Sequence, residues 1–141
     1  ARPLDFGHWS AHKLEQVSEY RLRHGEAVAI GMALDCIYAR EMGFLAESEC
    51  DRILRLLEKL GFILWSTDLL HADTDGKPVV IEGLEEFREH LGGRLTITLL
   101  KSIGEGFEVN EMNIPRVLDA VYELRERTSE RTHPKIIPAN G

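Results

Sequence analysis

HGEAVAIGMALDCIYAREMGF, residues 24 to 44, is the stretch that decides the fold. From Ala27 to Ala39 its residues are apolar with only Asp35 interrupting, so a helix built from them is hydrophobic almost all round. Such a helix does not lie on a surface; it is central, and the rest of the chain has to cover it. Upstream, Trp9, Leu14 and Val17 are mixed with polar residues between Gly7 and about Tyr20, which reads as a first helix with Asp5 just ahead as an N-cap. Downstream, Cys50, Ile53, Leu54, Leu57 and Leu60 recur at helical spacing from Ala46 to Leu60, and Gly61 suits the position after a helix end.

The rest is more broken. Residues 62 to 78 are mixed in polarity, and ADTDGKP carries the Asp-Gly and Pro punctuation of an exposed turn. Val79 to Ile81 reads as a short strand, Gly83 to Leu91 as a short helix closed by Gly92 and Gly93. Leu95, Ile97 and Leu99 alternate with polar residues and pair through the KSIGEG turn with a strand around Phe107 and Val109. A last helix runs from about Asn113 to Arg127, with Pro115 in its first turn and Val117, Leu118, Val121 and Leu124 on one face. ELRERTSER within and beyond it reads as a solvated face with charges paired one turn apart, and THPKIIPANG as irregular tail. The expectation is a mainly α domain over residues 1–141, carrying one small β-hairpin.

Composition narrows the class. The 141 residues carry 17 Lys+Arg against 24 Asp+Glu, a formal charge of −7, with 43% hydrophobic residues. That is a chain able to bury a core, and one without the basic surface that nucleic acid requires. No apolar run reaches the roughly 18 residues of a membrane span. The opening ARPLDFGHW shows no signal-peptide pattern. Cys36 and Cys50 fall in helical patterns rather than a CxxC pair, so buried, reduced thiols and a cytoplasmic location are expected.

Histidines carry the chemistry. His8 and His12 are four apart and share a helix face, which suits a metal ligand beside a proton-handling group, or simply two surface residues. His24 opens the buried helix, where the dipole disfavours the imidazolium and so favours a neutral ligand, or it simply satisfies its own hydrogen bonds at a helix start. Gly25 beside it leaves room for a close approach. His71 and His133 lie in loop-like segments and read as surface residues. No Walker-type loop or GxGxxG occurs, so these residues hold no nucleotide motif.

LDFGHWSAH (residues 4 to 12) and RHGEAVAIGM (residues 23 to 32), with the spacing between them, resemble the metal-binding half of 3-dehydroquinate synthase and the wider sugar-phosphate cyclase family. GGRLTITLLKSIGEGFEV resembles that family's strand-turn-strand near its C-terminus. The resemblance implies the family's helical C-terminal domain, with an NAD-binding N-terminal domain absent from these residues. It implies His8 and His24 as ligands of zinc or another divalent metal, the third ligand being a glutamate of the N-terminal domain, and His12 as an active-site histidine. Asp5 stands where the dehydroquinate branch has asparagine, and EFREHLGG replaces a lysine-bearing turn that helps hold a substrate carboxylate. Both features, with GLEEFREHLGG as a whole, resemble the 2-epi-5-epi-valiolone synthase branch, whose substrate, sedoheptulose 7-phosphate, has no carboxylate. His12 and Trp9 depart from that branch.

The implied reaction is a lyase chemistry in which a ring hydroxyl is transiently oxidised by bound NAD, phosphate is eliminated, the ketone is reduced again, and an intramolecular aldol step closes the ring. Asp5, His12 and His90 are the catalytic candidates in that scheme, placing substrate hydroxyls or relaying protons. Glu26 reads either as support for His24 or as a first-turn carboxylate favoured by the dipole. The expected partners are a sugar phosphate, the protein's own N-terminal domain and, at full length, a second copy in a homodimer; the isolated 141 residues are expected to be inactive. A 3-dehydroquinate synthase of the shikimate pathway and a non-catalytic helical binding module are the alternatives.

Overall fold

α2 (His24–Glu41) runs through the middle of the protein, with Ala27, Ala33, Cys36, Ile37 and Ala39 excluded from solvent. The computed structural model describes residues 6–132, and around α2 it places α1 (His8–Val17), α3 (Glu47–Lys59), α4 (Glu82–His90), a two-stranded antiparallel sheet of β1 (Ile97–Ser102) and β2 (Glu105–Val109), and α5 (Ile114–Thr132). The mainly helical architecture with one hairpin is the expected one. α2 touches α1, α3, α5 and β1, whereas α4 packs on α1. The continuous apolar surface read from residues 24 to 44 is what allows one helix to serve all these neighbours.

Each end of α2 has a local cause. At its start Arg23 is extended, and the Glu26 carboxylate accepts the Arg23 N–H at 2.9 Å. At its finish Gly43 is left-handed at φ 80°, and the Phe44 N–H reaches back to the Ala39 carbonyl at 2.8 Å. α1 stops at Val17, short of Tyr20, because Glu19 and Tyr20 both turn left-handed. The Tyr20 N–H closes that reversal on the Glu15 carbonyl at 2.7 Å.

Three local expectations are corrected. Val79–Ile81 is a 3₁₀ turn, not a strand. The Val79 N–H is taken by the His71 carbonyl at 2.7 Å and the Ile81 N–H by Pro78, and Val80 and Ile81 are buried as plugs beside α1 and α4. Local turn bonds satisfied the backbone where β-branched composition had suggested a ladder. Arg127 does not sit on a purely solvated face: its guanidinium crosses to Glu58 Oε1 at 2.9 Å on α3. The residue at the N-cap of α1 is Gly7. Asp5, expected there, lies outside the described residues, as does His133.

The hairpin is close to expectation. Ile97 pairs with Val109 and Leu99 with Phe107, with an irregularity between Leu100 and Ser102 ahead of the Ile103-Gly104 tip. Gly104 there is left-handed at φ 84°. Cys36 and Cys50 are free and buried, and desolvation pushes both thiols up, Cys50 to about 11. No helix among the described residues is long and apolar enough to cross a membrane.

Candidate metal and substrate site

His8, His12 and Glu15 lie at i, i+4 and i+7 of α1 and so share one face of it. The reversal at residues 18–21 brings the start of α2 back against that face. Ser18 holds the turn twice, its hydroxyl donating to the Glu15 carbonyl at 3.1 Å and accepting the Leu22 N–H at 3.2 Å. Arg21 adds an ion pair to the buried Asp68 at 2.7 Å. The result is that the His8 and His24 rings face each other with centroids 5.5 Å apart.

Their hydrogen bonds define their tautomers. His8 Nδ1 lies 3.1 Å from the Phe6 carbonyl, which can only accept, so Nδ1 carries the proton. His24 Nδ1 lies 2.5 Å from Glu15 Oε1, again an acceptor when ionised. Among the described residues each ring keeps Nε2 without a hydrogen-bond partner, and a carboxylate or carbonyl on the opposite nitrogen is the arrangement that orients metal-ligating histidines. The donor set therefore fits a divalent metal of the zinc type. Among the described residues no group of three His, Cys, Asp or Glu is placed to hold a metal ion.

Glu15 is a candidate site residue that the sequence reading missed. Its side chain is 11% exposed and lies between His24 and His12, with Oε2 3.8 Å from His12 Nδ1. A signal was available, since residue 15 falls on the same helical face as His8 and His12. Glu26, the residue weighed for this role, bonds the Arg23 backbone instead. Gly25 is likewise not where the described backbone approaches closely, for a Cβ there would meet no atom within 4 Å. Gly31 is: a Cβ on it would lie 2.0 Å from the Gly7 carbonyl oxygen. Gly7 in turn is left-handed at φ 78° with Met32 against it. These two glycines let the start of α1 press on α2.

A cleft of about 510 Å³ opens between α1 and α4, lined by His8, Trp9, His12 and Lys13 on one side and Glu86, Phe87, His90 and Leu91 on the other. His8, His12 and His90, chosen from sequence, thus share one cleft, and His24 lies beside His8. His12 is 80% exposed and free to meet a ligand. Lys13 is the one lysine or arginine among the described lining residues, and its ammonium is engaged by Glu86 at 2.7 Å and Glu82 at 3.4 Å. Those carboxylates raise the Lys13 pKa, against the opposing effect of burial. Arg88, next to the cleft wall, is spent on Glu85 and on the Gly93 carbonyl at 2.7 Å.

The family model described as 3-dehydroquinate synthase C-terminal matches residues 1–76. The chain belongs to that family. It is 36% identical over 124 residues to a 3-dehydroquinate synthase of Chlorobium luteolum, covering 86% of this chain and 34% of that protein. It is 31% identical over 134 residues to a 2-epi-5-epi-valiolone synthase of Streptomyces albus, covering 95% of this chain and 31% of that protein. Among solved structures it resembles ValA, the 2-epi-5-epi-valiolone synthase of Streptomyces hygroscopicus subsp. jinggangensis with NAD+ and Zn2+ bound. That match has a TM-score of 0.76 at 30% identity, over 88% of this chain and 33% of that one. The chain spans about a third of the length of the curated relatives it matches. It is thus a C-terminal domain of the dehydroquinate-synthase-like sugar-phosphate cyclases, and the resemblance read from its two histidine motifs is sound.

Proposed function

We propose that these residues form the metal- and substrate-binding part of a zinc- and NAD-dependent cyclase that eliminates phosphate from a heptulose 7-phosphate, such as sedoheptulose 7-phosphate, and closes it to a carbocycle. The observation that carries the reading is the pair His8 and His24, ring centroids 5.5 Å apart and each with Nδ1 committed, with His8 lining a cleft that also holds His12 and His90. His8 and His24 would hold the metal, which supplies Lewis-acid polarisation of a substrate hydroxyl or carbonyl. A glutamate of an N-terminal domain would complete the ligand set, and that domain would bind NAD. ValA, with both groups bound, supports this assignment of cofactors.

The chain's own residues have separable tasks. Glu15 holds His24 in the tautomer that ligates. His12, exposed one turn beyond His8, is placed to move a proton to or from a substrate hydroxyl, as is His90 across the cleft. Asp5 belongs with them by the family resemblance. Phe87 and Trp9 provide apolar walls that limit water. A heptulose without a carboxylate is favoured because the cleft's lysine is already neutralised by Glu82 and Glu86, leaving no unpaired ammonium or guanidinium among the described lining residues to take a second anionic group.

The test is to assay the full-length enzyme with sedoheptulose 7-phosphate and with the heptulosonate 7-phosphate used by dehydroquinate synthases. Turnover of the first is expected; turnover of the second alone would establish the dehydroquinate reading, which the identity to the Chlorobium luteolum enzyme favours. The 141-residue chain alone is expected to bind zinc weakly and to be inactive, and nanomolar zinc affinity by calorimetry would overturn that. A cytoplasmic location and a homodimeric full-length enzyme complete the proposal.

A further inference from the structure

We propose that Asp35 is a positioning residue for His8, acting from inside α2 through Gly7 and Trp9, the two residues that bracket His8 in the chain. The inference rests on the reading of His8 and His24 as metal ligands. Asp35 is 1% exposed on an otherwise apolar stretch of helix. Both of its oxygens are spent on α1: Oδ2 accepts the Gly7 N–H at 3.1 Å and Oδ1 accepts the Trp9 indole N–H at 2.7 Å. One bond fixes the backbone immediately before His8 and the other fixes the side chain immediately after it.

No side chain of α1 caps its own N-terminus, so the Asp35 carboxylate does that work from the neighbouring helix, where a negative charge is favoured by the α1 dipole. Gly7 and Gly31 set how closely α1 approaches α2. Contact between small residues does not by itself fix how α1 slides or rolls on α2, whereas two directed bonds to one buried carboxylate do. That choice has a cost. Burial pushes the Asp35 carboxyl up to about 7, against the two hydrogen bonds that favour its ionised form. A packed apolar residue is often no less stable than a buried charge, so stability alone gives no reason for this arrangement. Its other effect is to hold His8 opposite His24, 5.5 Å away ring to ring, with the indole forming part of the cleft wall.

The test uses Asp35→Asn, which keeps the shape but places an amide N–H2 against a donor, and Trp9→Phe, which removes one donor and keeps a ring. His8→Ala is the reference. Thermal unfolding checks folding, and cobalt(II) is titrated into the 141-residue chain up to millimolar concentration while paramagnetic broadening of the His8 and His24 ring signals is followed by NMR. The expected result is that the folded variants bind cobalt about tenfold more weakly, with His8 broadening lost ahead of His24. Should Asp35→Asn fail to fold, Trp9→Phe carries the same comparison. Variants that fold, lose stability and bind cobalt with unchanged affinity and unchanged broadening would reduce Asp35 to a structural residue and overturn the inference. Failure of the parent reading has a different signature: the unmutated chain shows no broadening at either ring, or His8→Ala binds as the unmutated chain does.

Discussion

Glu15 Oε1 lies 2.5 Å from His24 Nδ1, joining a carboxylate in the last half of α1 to the first residue of α2. The pair is possible only because the chain reverses within six residues through two left-handed positions, Glu19 and Tyr20. It gives His24, 65% exposed at the first position of α2, one assigned tautomer.

Loss of that carboxylate should loosen the metal without emptying the site. Glu15→Ala in the complete enzyme is expected to weaken zinc binding by about 10- to 100-fold. Calorimetry measures the affinity, and nitrogen-15 NMR of the His24 ring reports whether Nδ1 has lost its proton. Unchanged affinity with an unchanged tautomer would show that His24 is oriented by something else.

The three histidines should separate by role. Replacing His8 or His24 by Ala in the complete enzyme is expected to remove metal and activity together. His12→Ala should keep the metal and lower kcat by about 10² or more, as for a lost general acid or base. Metal content by elemental analysis beside steady-state rates decides this, and loss of metal in the His12 variant would exchange the assignments.

Two glycines of α2 should respond in opposite ways. Gly31→Ala puts a methyl 2.0 Å from the Gly7 carbonyl oxygen, so α1 must shift, at a cost of about 3 kcal/mol. Gly25→Ala meets open space in a helical position and should be neutral or stabilising by about 0.5 kcal/mol. Denaturant titration of both variants tests the close contact directly; equal effects would mean that α1 and α2 do not touch there.

Asp35 predicts a pH dependence with a definite sign. Burial raises its carboxyl from 3.8 to about 7, so between those values the folded chain holds a proton that the unfolded chain has released. Its contribution to stability therefore falls as pH rises from 3.8 to about 7 and is level outside that window. Relative to Asp35→Asn, the unmutated chain should lose stability between about pH 4 and about pH 7 in denaturant titrations and change no further above that. A difference that stays constant with pH would place the carboxyl titration elsewhere.

Much of the fold was legible because its signals are periodic. Residues 24 to 44 read as a buried central helix because apolar residues crowd every face, and α3 and α5 read as amphipathic because theirs crowd one face. Val79–Ile81 misread because three β-branched residues are compatible with a strand or with a buried turn, and the choice lay with the His71 carbonyl and the absence of a neighbouring strand among the described residues. Arg127 misread for the same reason: the partner at Glu58 comes from a distant part of the chain.

The site divides along the same line. His8, His12, His24 and His90 were read as candidates from residue type, spacing and motif, all of which are local in sequence. Their meeting was not, because it depends on a turn that folds α1 back on α2 and on Gly31 admitting the Gly7 backbone. Glu15 and Asp35 were each visible as a carboxylate, one on a polar face and one on an apolar helix, yet their work is done on residues 9 and 28 positions away. Local patterns constrain which side chains share a helix face, since that follows from the helical repeat. Which carboxylate reaches which imidazole or indole is a matter of contacts between elements, and only the packed arrangement of α1, α2 and α4 specifies it.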